Sequence, residues 1–455
     1  TAAASGALDN SQSGNTSIEI FGSLFDTSNA TVLLVATSGS NISPTSTTIN
    51  SGSKITITAP FSSFVNANEP YDVRVTNPSG LSATLEDAIF ADTIPTFTNA
   101  ADTTFNVFDG NRSSITITPG ELCGATDAES DTLTYAVTTG ALPSGLTMAS
   151  NTGQITGSVS AVGSNTTSTF TVTVTQTGGG ASNTRQFKIT IQAPQVTTFN
   201  SSGTFTVPNG LNKVTALVVA GGGGTNFHHG GGGGGGGLIY RPDFAITPGT
   251  PISVTVGNGA PQTSNGPNAP KGQDSVFSTL TAKGGGGGQT EGATEGSANG
   301  PGGSGSGAGY NPSHNGEPGL AIQPTQPGDS GTYGFGNPGG NGFYTSPPTG
   351  AQGGGGGGAG GGGGNSGPNN SGQGGAGKQY DISGSNTYYA GGGCGGGHTN
   401  AGSASGGQGG GGSRPGGGPG QNGQPGIANT GGGGGGGNDS NQNPGGGSGI
   451  VILKY

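Results

Sequence analysis

The chain has 455 residues, enough for two to four domains, and its 22 acidic and 12 basic residues leave a net charge of −10. Charged residues make up only 7% of the sequence, and the acidic balance excludes the basic face that nucleic-acid binding requires. The sequence holds no run of about 18 apolar residues, so it predicts no membrane insertion.

Residues 1–92 alternate apolar and polar side chains in short runs such as TSIEIFG, ATVLLVAT, KITITAP and YDVRVTN. Such runs, separated by Gly, Asn, Pro and Ser, predict a β-sandwich. TSIEIFGSLF and EPYDVRVTNPSGLSAT resemble the early strand and the late hairpin of the IPT/TIG immunoglobulin-like family. The usual opening strand of that family is missing here, so we expect the native chain to extend upstream of Thr1.

Residues 93–195 show the same alternation in SSITITPG, DTLTYAVTTG, STFTVTVTQT and RQFKITIQAP, which predicts a second sandwich. The stretch LPSGLTMASNTGQITG resembles cadherin-like, immunoglobulin-type domains of bacterial surface proteins. The resemblance implies an immunoglobulin-like fold and a role at a cell or particle surface.

An acidic stretch in this second region is a candidate calcium site. Asp127, Glu129 and Asp131 stand at a spacing of two in DAESDTLTY, and carboxylate oxygens are ligands that Ca²⁺ prefers. Cadherin-like relatives sometimes hold calcium in such loops. A solvated turn would have the same composition, so the sequence leaves both interpretations open. No other cofactor is expected.

Residues 196–455 hold most of the 106 glycines. Strand-like runs lie near both ends, from GTFTVP and VTALVV to the final GIVILKY, while the middle consists mainly of Gly, Asn, Ser, Pro and Gln. That middle is either disordered or built from glycine in a regular form. A left-handed helix of three residues per turn makes no internal hydrogen bonds, so glycine helices can bond to one another laterally. The eight glycines Gly230–Gly237 would then span about 25 Å, and we expect an ordered bundle.

The frame GTFTVP, VTALVVAGGGG, ITPGTPISVTVGNG, GQDSVFSTLTAKGGGGG and GGGSGIVILKY resembles the glycine-rich domains of tail-fibre and other virion proteins of tailed phages, especially cyanophages. A similar frame occurs in the glycine-rich extracellular region of anaplastic-lymphoma-kinase-type receptors. The resemblance implies a jelly-roll-like sandwich carrying packed polyglycine II helices. The expected fold is therefore all-β, with two immunoglobulin-like sandwiches, 1–92 and 93–195, followed by this third domain, 196–455.

The residues that could carry chemistry are few. The histidines His228, His229 and His398 lie near glycine runs, and Cys394 precedes His398 at a ligand-like spacing, but neither motif brings the further ligands of a closed zinc site. The two cysteines lie far apart in the sequence and are expected to be unpaired. No Ser or Thr follows Lys378 in GGAGKQY, so no phosphate-binding loop is predicted. The chain is expected to be non-enzymatic.

Aromatic residues between the glycine runs are candidate receptor contacts, because rings beside amides and hydroxyls make large contact areas at low entropic cost. The resemblance to phage adhesins implies contact with host polysaccharide or outer-membrane protein through loops between helices. The alternative is that the rings pack over the ends of the sandwich or against a neighbouring subunit. The candidates are Phe227, Tyr310, Tyr333, Phe335, Phe343, Tyr344, Tyr380, Tyr388 and Tyr389.

These observations predict a virion structural or attachment protein, a fibre or decoration, that binds the host surface through the glycine-rich tip. The expected location is the virion surface or another extracellular setting. Expected partners are other virion proteins through an upstream segment, a host glycan or outer-membrane protein, and further copies of the chain. The alternatives are a purely structural fibre or capsid-associated subunit, and a secreted bacterial adhesin or matrix protein.

Overall fold

The chain forms two compact units. One comprises Thr1–Val107 and Arg112–Ala193, and the other comprises Phe108–Asn111 and Pro194–Tyr455. The computed structural model describes residues 8–9, 13–109, 112–128, 130–177, 181–226, 229–263, 269–290, 292, 300–311, 316–323, 334–344, 350–398, 402–416, 421–437 and 443–455. Among them, no helix is long and apolar enough to cross a membrane.

The first part of the first unit pairs its strands in the orders β2-β5-β4, β3-β6-β7 and β1-β8. Alternate side chains point to one face, so Ile55, Ile57 and Ala59 of one strand enter a core with Leu34 and Tyr71. Short 3₁₀ helices follow at Phe61–Ser63 and Asn66–Asn68. The strands are β1 Leu8–Asp9, β2 Asn15–Phe21, β3 Thr31–Ala36, β4 Ser46–Ser51, β5 Lys54–Pro60, β6 Tyr71–Thr76, β7 Ser82–Ile89 and β8 Ala91–Asp92.

The second part of this unit has a separate core around Phe170, Phe187 and Ile189. Its sheets have the orders β10-β17-β16-β13, β11-β15-β14 and β12-β9. A 3₁₀ helix at Pro119–Glu121 carries a capping box between Thr118 and Glu121. The strands are β9 Thr96–Phe97, β10 Thr104–Val107, β11 Ile115–Ile117, β12 Ala125–Thr126, β13 Leu133–Gly140, β14 Leu146–Met148, β15 Ile155–Gly157, β16 Thr166–Gln176 and β17 Ser182–Ile191.

The second unit contains a sandwich of a five-stranded sheet, β18-β28-β20-β21-β25, and a four-stranded sheet, β19-β22-β23-β24. The last strand, Ile450–Lys454, pairs with the early strand Lys213–Val219, and Leu217 lies opposite Ile452. This pairing of the two ends closes the domain. A hairpin, β26-β27, is separate from both sheets. The strands are β18 Val196–Phe199, β19 Gly203–Thr206, β20 Lys213–Val219, β21 Leu238–Ala245, β22 Pro251–Thr255, β23 Ser275–Phe277, β24 Leu280–Ala282, β25 Gly334–Phe335, β26 Lys378–Tyr380, β27 Thr387–Tyr389 and β28 Ile450–Lys454.

The run Gly230–Gly237 lies between β20 and β21 and donates its amides to three neighbouring segments in turn. The repeat is three residues, the period of a polyglycine II helix, and the N···O distances are 2.7 to 3.0 Å. The bonds run from Gly231 to Gln289, Gly232 to Gly354, Gly233 to Gly434, Gly234 to Gly286, Gly235 to Gly357, Gly236 to Gly431 and Gly237 to Lys283.

The carbonyl groups of the same run accept hydrogen bonds from three other segments. The pairs, with the donor amide first and the acceptor carbonyl second, are Gly396 and Gly230, Gly307 and Gly232, Gly393 and Gly233, Gly223 and Gly234, Ser304 and Gly235, and Ala220 and Gly237. The run is thus surrounded by six hydrogen-bonded segments and occupies an interior position in the bundle.

Close approach of these segments explains why the run contains only glycine. A Cβ added at any position from Gly231 to Gly236 would lie within 3.0 Å of a neighbouring carbonyl group. A real Cβ does not come so near, so a side chain here would force the segments apart.

The prediction of an all-β fold with two immunoglobulin-like regions and a sandwich carrying a polyglycine II bundle is confirmed. Disorder of the glycine-rich middle was the other interpretation. The regular hydrogen bonds from Gly231–Gly237 to residues 283–289, 354–357 and 431–434 show that interpretation to be wrong for these segments. The division into domains at residues 92 and 195 stays a prediction, because the first compact unit contains both immunoglobulin-like regions.

Candidate functional site

Larger side chains gather where the glycine segments end away from the sandwich. The chain leaves β20 through residues 220–226 and returns to β21 through Gly230–Gly237, so His229 lies at the far end of this pair. Around it lie Tyr310, Tyr344 and His398, which we call the tip cluster. These four residues come from different segments of the bundle.

The hydrogen-bond register explains how distant residues meet in the tip cluster. Ser304 bonds to Gly235 and Gly307 to Gly232, so the next step of this antiparallel ladder places Tyr310 opposite His229. On another side of the run, Gly396 bonds to Gly230, and His398 lies just beyond that bond. The ladders therefore bring the ends of these segments to one level.

The rings of the tip cluster are in contact. Tyr310 and Tyr344 stack with centroids 5.6 Å apart and planes inclined by 15°. His229 lies 5.6 Å from Tyr310 and 5.2 Å from His398, centroid to centroid. His229 is only 7% exposed and has a φ of 58°, whereas both tyrosines and His398 are half-buried. In the tip cluster His229 is thus buried, and the other three rings are partly exposed.

A buried polar network lies beside the tip cluster. Arg414 donates from Nη2 to Ser371 Oγ over 3.0 Å and to the carbonyl oxygen of Gly402 over 2.6 Å. Ser371 Oγ lies 2.9 Å from Gln352 Oε1, and all three side chains are less than 5% exposed. Burial lowers the pKa of the Arg414 guanidinium. The network holds segments of the bundle at fixed positions next to His398, whose amide donates to the residue before Gln352.

Sequence reasoning did not identify Gln352, Ser371 or Arg414 as part of this end of the molecule. A signal was present, since polar residues directly follow or precede several glycine runs, as in GGGGTN, GGGGGQ, QGGGGGG and CGGGH. Buried polar groups need hydrogen-bond partners. Such residues at the ends of glycine runs therefore indicate a polar layer that closes the bundle.

Phe335, Tyr380, Tyr388 and Tyr389 lie in strands β25 to β27, not in turns between glycine runs. Tyr389 is 3% exposed and packs with Ile382 and with residues of the five-stranded sheet. Tyr380 stacks on Tyr240 at 4.2 Å and 17°, and burial raises its pKa well above the ordinary value. The Lys378 ammonium lies 3.8 Å from the centre of the Phe335 ring. The rings of Phe335, Tyr380 and Tyr389 pack on the sandwich, which matches the alternative interpretation. A role of these residues and of Tyr388 as receptor contacts stays a prediction.

Of the other aromatic candidates, Phe343 is half-buried and pairs with Gln352 through an isolated β-bridge near the tip cluster. Phe227 and Tyr333 lie outside the described residues. The expectation of aromatic residues between glycine runs thus fits Tyr310, Phe343 and Tyr344, because these three residues lie at the ends of bundle segments.

The candidate calcium residues are only partly described, since Glu129 lies outside the described residues. The Asp127 carboxylate accepts hydrogen bonds from the Asp131 amide over 3.0 Å and from Gln176 Nε2 over 2.6 Å. Within the described part of the chain, no group of three His, Cys, Asp or Glu residues is placed to hold a metal ion. Calcium binding stays a prediction.

The two cysteines are free and buried, which confirms the expectation that they are unpaired. Burial raises the pKa of Cys394 to about 11 and that of Cys123 to about 12. Both thiols are therefore protonated and unreactive at neutral pH.

Two protein families match the chain. Residues 197–455 match the family described as "Glycine-rich domain", and residues 95–192 match the family described as "Putative Ig domain". No curated protein matches. Immunoglobulin-like and glycine-rich domains together fit an extracellular structural or adhesin-like protein.

Several solved structures show a distant likeness. The protocadherin GammaB4 extracellular domain is 14% identical over 42% of this chain and 35% of its own, with a TM-score of 0.21. The human desmocollin-1 ectodomain is 16% identical over 39% and 35%, with a TM-score of 0.20. An I-band fragment from titin is 10% identical over 55% and 80%, with a TM-score of 0.27. The chain thus spans about a third of the length of the first two.

Proposed function

The chain belongs to the glycine-rich domain family over residues 197–455, and we propose that it is a non-enzymatic attachment protein of a phage particle. In this proposal the tip cluster binds a glycan on the surface of the host cell. The stacked pair Tyr310–Tyr344 at the far end of the glycine bundle is the observation that carries the proposal.

The chemistry of the tip cluster suits a glycan. Aromatic faces pack against the apolar faces of sugar rings, while phenol and imidazole groups supply hydrogen-bond partners for hydroxyls. Tyr310, Phe343 and Tyr344 are each half-buried, so their rings are held by neighbours and still reach solvent. A partly exposed aromatic surface with polar groups at its edge is typical of a carbohydrate contact.

The bundle beneath the tip cluster favours binding by reducing its entropic cost. The segments that carry the rings are joined by backbone hydrogen bonds, as between Gly307 and Gly232 and between Ala308 and Gly340. A surface that is ordered before it meets its ligand loses less conformational freedom on binding. Rigid glycine helices therefore serve as a scaffold for recognition residues, much as a β-sandwich carries binding loops.

The phage setting rests on the resemblance of the glycine-rich frame to virion proteins. The rival function is a structural fibre or capsid-associated subunit whose aromatic end contacts a neighbouring copy. Both functions use the same fold, so only the behaviour of the tip cluster distinguishes them.

The test compares binding of the full chain to a glycan array and to intact host cells with that of the double variant Tyr310→Ser, Tyr344→Ser. We expect saturable binding that falls at least tenfold in the double variant. The control is Phe21→Ser, which removes a 54% exposed ring of strand β2 that is not among the candidate contacts and should bind like the parent chain. Circular dichroism and melting curves establish that each variant is folded.

Loss of binding in the control as well as in the double variant would contradict a site at the tip cluster. Binding that survives in glycan-free cells but not in cells lacking an outer-membrane protein would assign the contact to protein. A folded parent chain that binds neither glycans nor cells, and that self-associates through the tip, would establish the structural function instead.

A further inference from the structure

Two histidines from separate glycine segments meet in the tip cluster. His229 precedes the run Gly230–Gly237, and His398 follows the segment 390–396, which is hydrogen-bonded antiparallel to that run through Gly393 and Gly396. The ring centroids lie 5.2 Å apart and the ring planes are inclined by 38°. The sequence spacing suggested a pairing of His398 with Cys394, and the structure instead pairs His398 with His229.

The separation of the two rings, although also that of an ordinary ring contact, allows both imidazoles to share one metal ion. A zinc–nitrogen bond of about 2.0–2.1 Å places the centre of each ring about 3.2 Å from the ion. A tetrahedral angle at the ion then separates the two ring centres by about 5 Å. The observed distance of 5.2 Å agrees with this value.

Cys394 does not share this position. Four residues of a three-residue helix cover about 12 Å, so Cys394 lies well inside the bundle when His398 is at its end. Its amide donates to Gly412, its carbonyl accepts from Gly436, and its side chain is fully buried. Burial also raises the pKa of Cys394 to about 11, whereas zinc requires the thiolate.

We infer that His229 and His398 form a binding site for a divalent transition-metal ion of the zinc class. Imidazole nitrogens suit Zn²⁺, Cu²⁺ and Ni²⁺, while Ca²⁺ and Mg²⁺ prefer oxygen ligands. In the described part of the chain the site has two protein ligands, and water or a group from a bound partner completes the coordination.

The site would join two segments of the bundle at its far end. His229 has a left-handed backbone, with a φ of 58°, and is 7% exposed, so its position is already restricted before an ion binds. An ion held by both rings adds a cross-link beyond the last backbone hydrogen bond, between Gly396 and Gly230. Metal binding is thus expected to raise the melting temperature of the chain, since an ion bound only by the folded state stabilises that state.

The test is a calorimetric titration of the full metal-free chain with Zn²⁺, with Co²⁺ absorption spectra as a second readout. We expect binding of one Zn²⁺, no competing binding of Ca²⁺ at this site, and a higher melting temperature with Zn²⁺. His229→Asn and His398→Asn should each weaken Zn²⁺ binding at least tenfold and remove the thermal shift. Asparagine is chosen at position 229 because it tolerates a left-handed backbone better than alanine does.

Cys394→Ala is the matched control, because it removes the other ligand that the sequence spacing indicates. It should bind Zn²⁺ like the parent chain. The inference is overturned if both histidine variants bind Zn²⁺ with the affinity of the parent, or if Cys394→Ala loses binding while His229→Asn keeps it. These measurements do not involve a glycan, so their failure leaves the proposed attachment function to be judged by its own test.

Discussion

The amide of Gly233 donates a hydrogen bond to the carbonyl oxygen of Gly434 over 3.0 Å. The two residues belong to glycine runs that are separated by most of the domain. The bond is one step of a ladder in which Gly236 and Gly431 form the next step, three residues further along. Glycine runs that look like linkers in the sequence are therefore the interior of a packed body.

Replacing Gly233 with alanine should destabilise the second unit strongly. The new Cβ would lie within 3.0 Å of the carbonyl group of Gly223, and neither backbone can move without breaking other bonds of the bundle. We expect the free energy of unfolding, measured with urea, to fall by about 3 kcal/mol or more. This is at or above the upper end of the usual cost of overpacking a protein interior.

Gly361→Ala is the control for this substitution, because it also lies in a glycine run. There the nearest atom to an added Cβ is the Ala376 nitrogen, at 3.8 Å, which is ordinary contact. Gly361→Ala should change the free energy of unfolding by no more than about 0.5 kcal/mol. Equal effects of the two substitutions would contradict the interior position of Gly230–Gly237.

Hydrogen exchange should distinguish the central run from a flexible linker directly. The amides of residues 231–237 are all hydrogen-bonded and buried, so we expect them to exchange as slowly as those of strand β20. The turn between Gly367 and Asn370 is closed by two hydrogen bonds but is largely exposed, so its amides should exchange much faster. Rapid exchange throughout residues 231–237 would disprove the packed bundle.

Arg414→Lys should be costly although it keeps the charge. Arg414 is 1% exposed, and its Nη2 donates to both Ser371 and Gly402. A lysine lacks the planar fork that makes this arrangement, so we expect a loss of about 1–3 kcal/mol in thermal unfolding. Arg74→Lys, at an exposed position of β6, should change stability by less than about 0.5 kcal/mol. Similar small effects at both positions would show that the buried network adds no stability.

Alkaline pH should weaken the second unit partly through Cys394. Burial raises the pKa of this thiol from 9.0 to about 11, so the folded state retains the proton at pH values where the unfolded chain has lost it. The resulting stability is fully present below about pH 9 and is lost as the pH rises through about 11. We expect Cys394→Ala to flatten the fall of the melting temperature between these values. An unchanged slope would contradict a titrating thiol at this position.

Much of the fold could be predicted from the sequence because its causes are local. Alternation at period two in KITITAP and VTALVV reflects strands with one buried face, and these became β5 and β20. The glycine runs indicated a helix of three residues per turn because only glycine allows backbones to approach so closely. The unpaired state of Cys123 and Cys394 could be predicted because the two residues lie far apart in the sequence.

The candidate site could be predicted only in part. Tyr310 and Tyr344 were recognised as aromatics near glycine runs, and they do lie at the far end of the bundle. Tyr380 and Tyr389 carried the same signal but lie in a hairpin whose short strands, KQY and TYY, are too brief to detect by periodicity. Composition alone therefore could not separate rings that cover the sandwich from rings at the tip.

The sequence by itself determined that residues 196–455 contain strands, because period-two alternation follows from local side-chain preferences. For the glycine runs it allowed either disorder or helices held by lateral hydrogen bonds, because such helices make no hydrogen bonds of their own. Only the tertiary structure decided which helices are neighbours, since every glycine offers the same donor and acceptor. His229 and His398 meet because the antiparallel register between Gly230 and Gly396 brings their segments to the same level. That register is set by packing across the whole bundle, and no local pattern in the sequence encodes it.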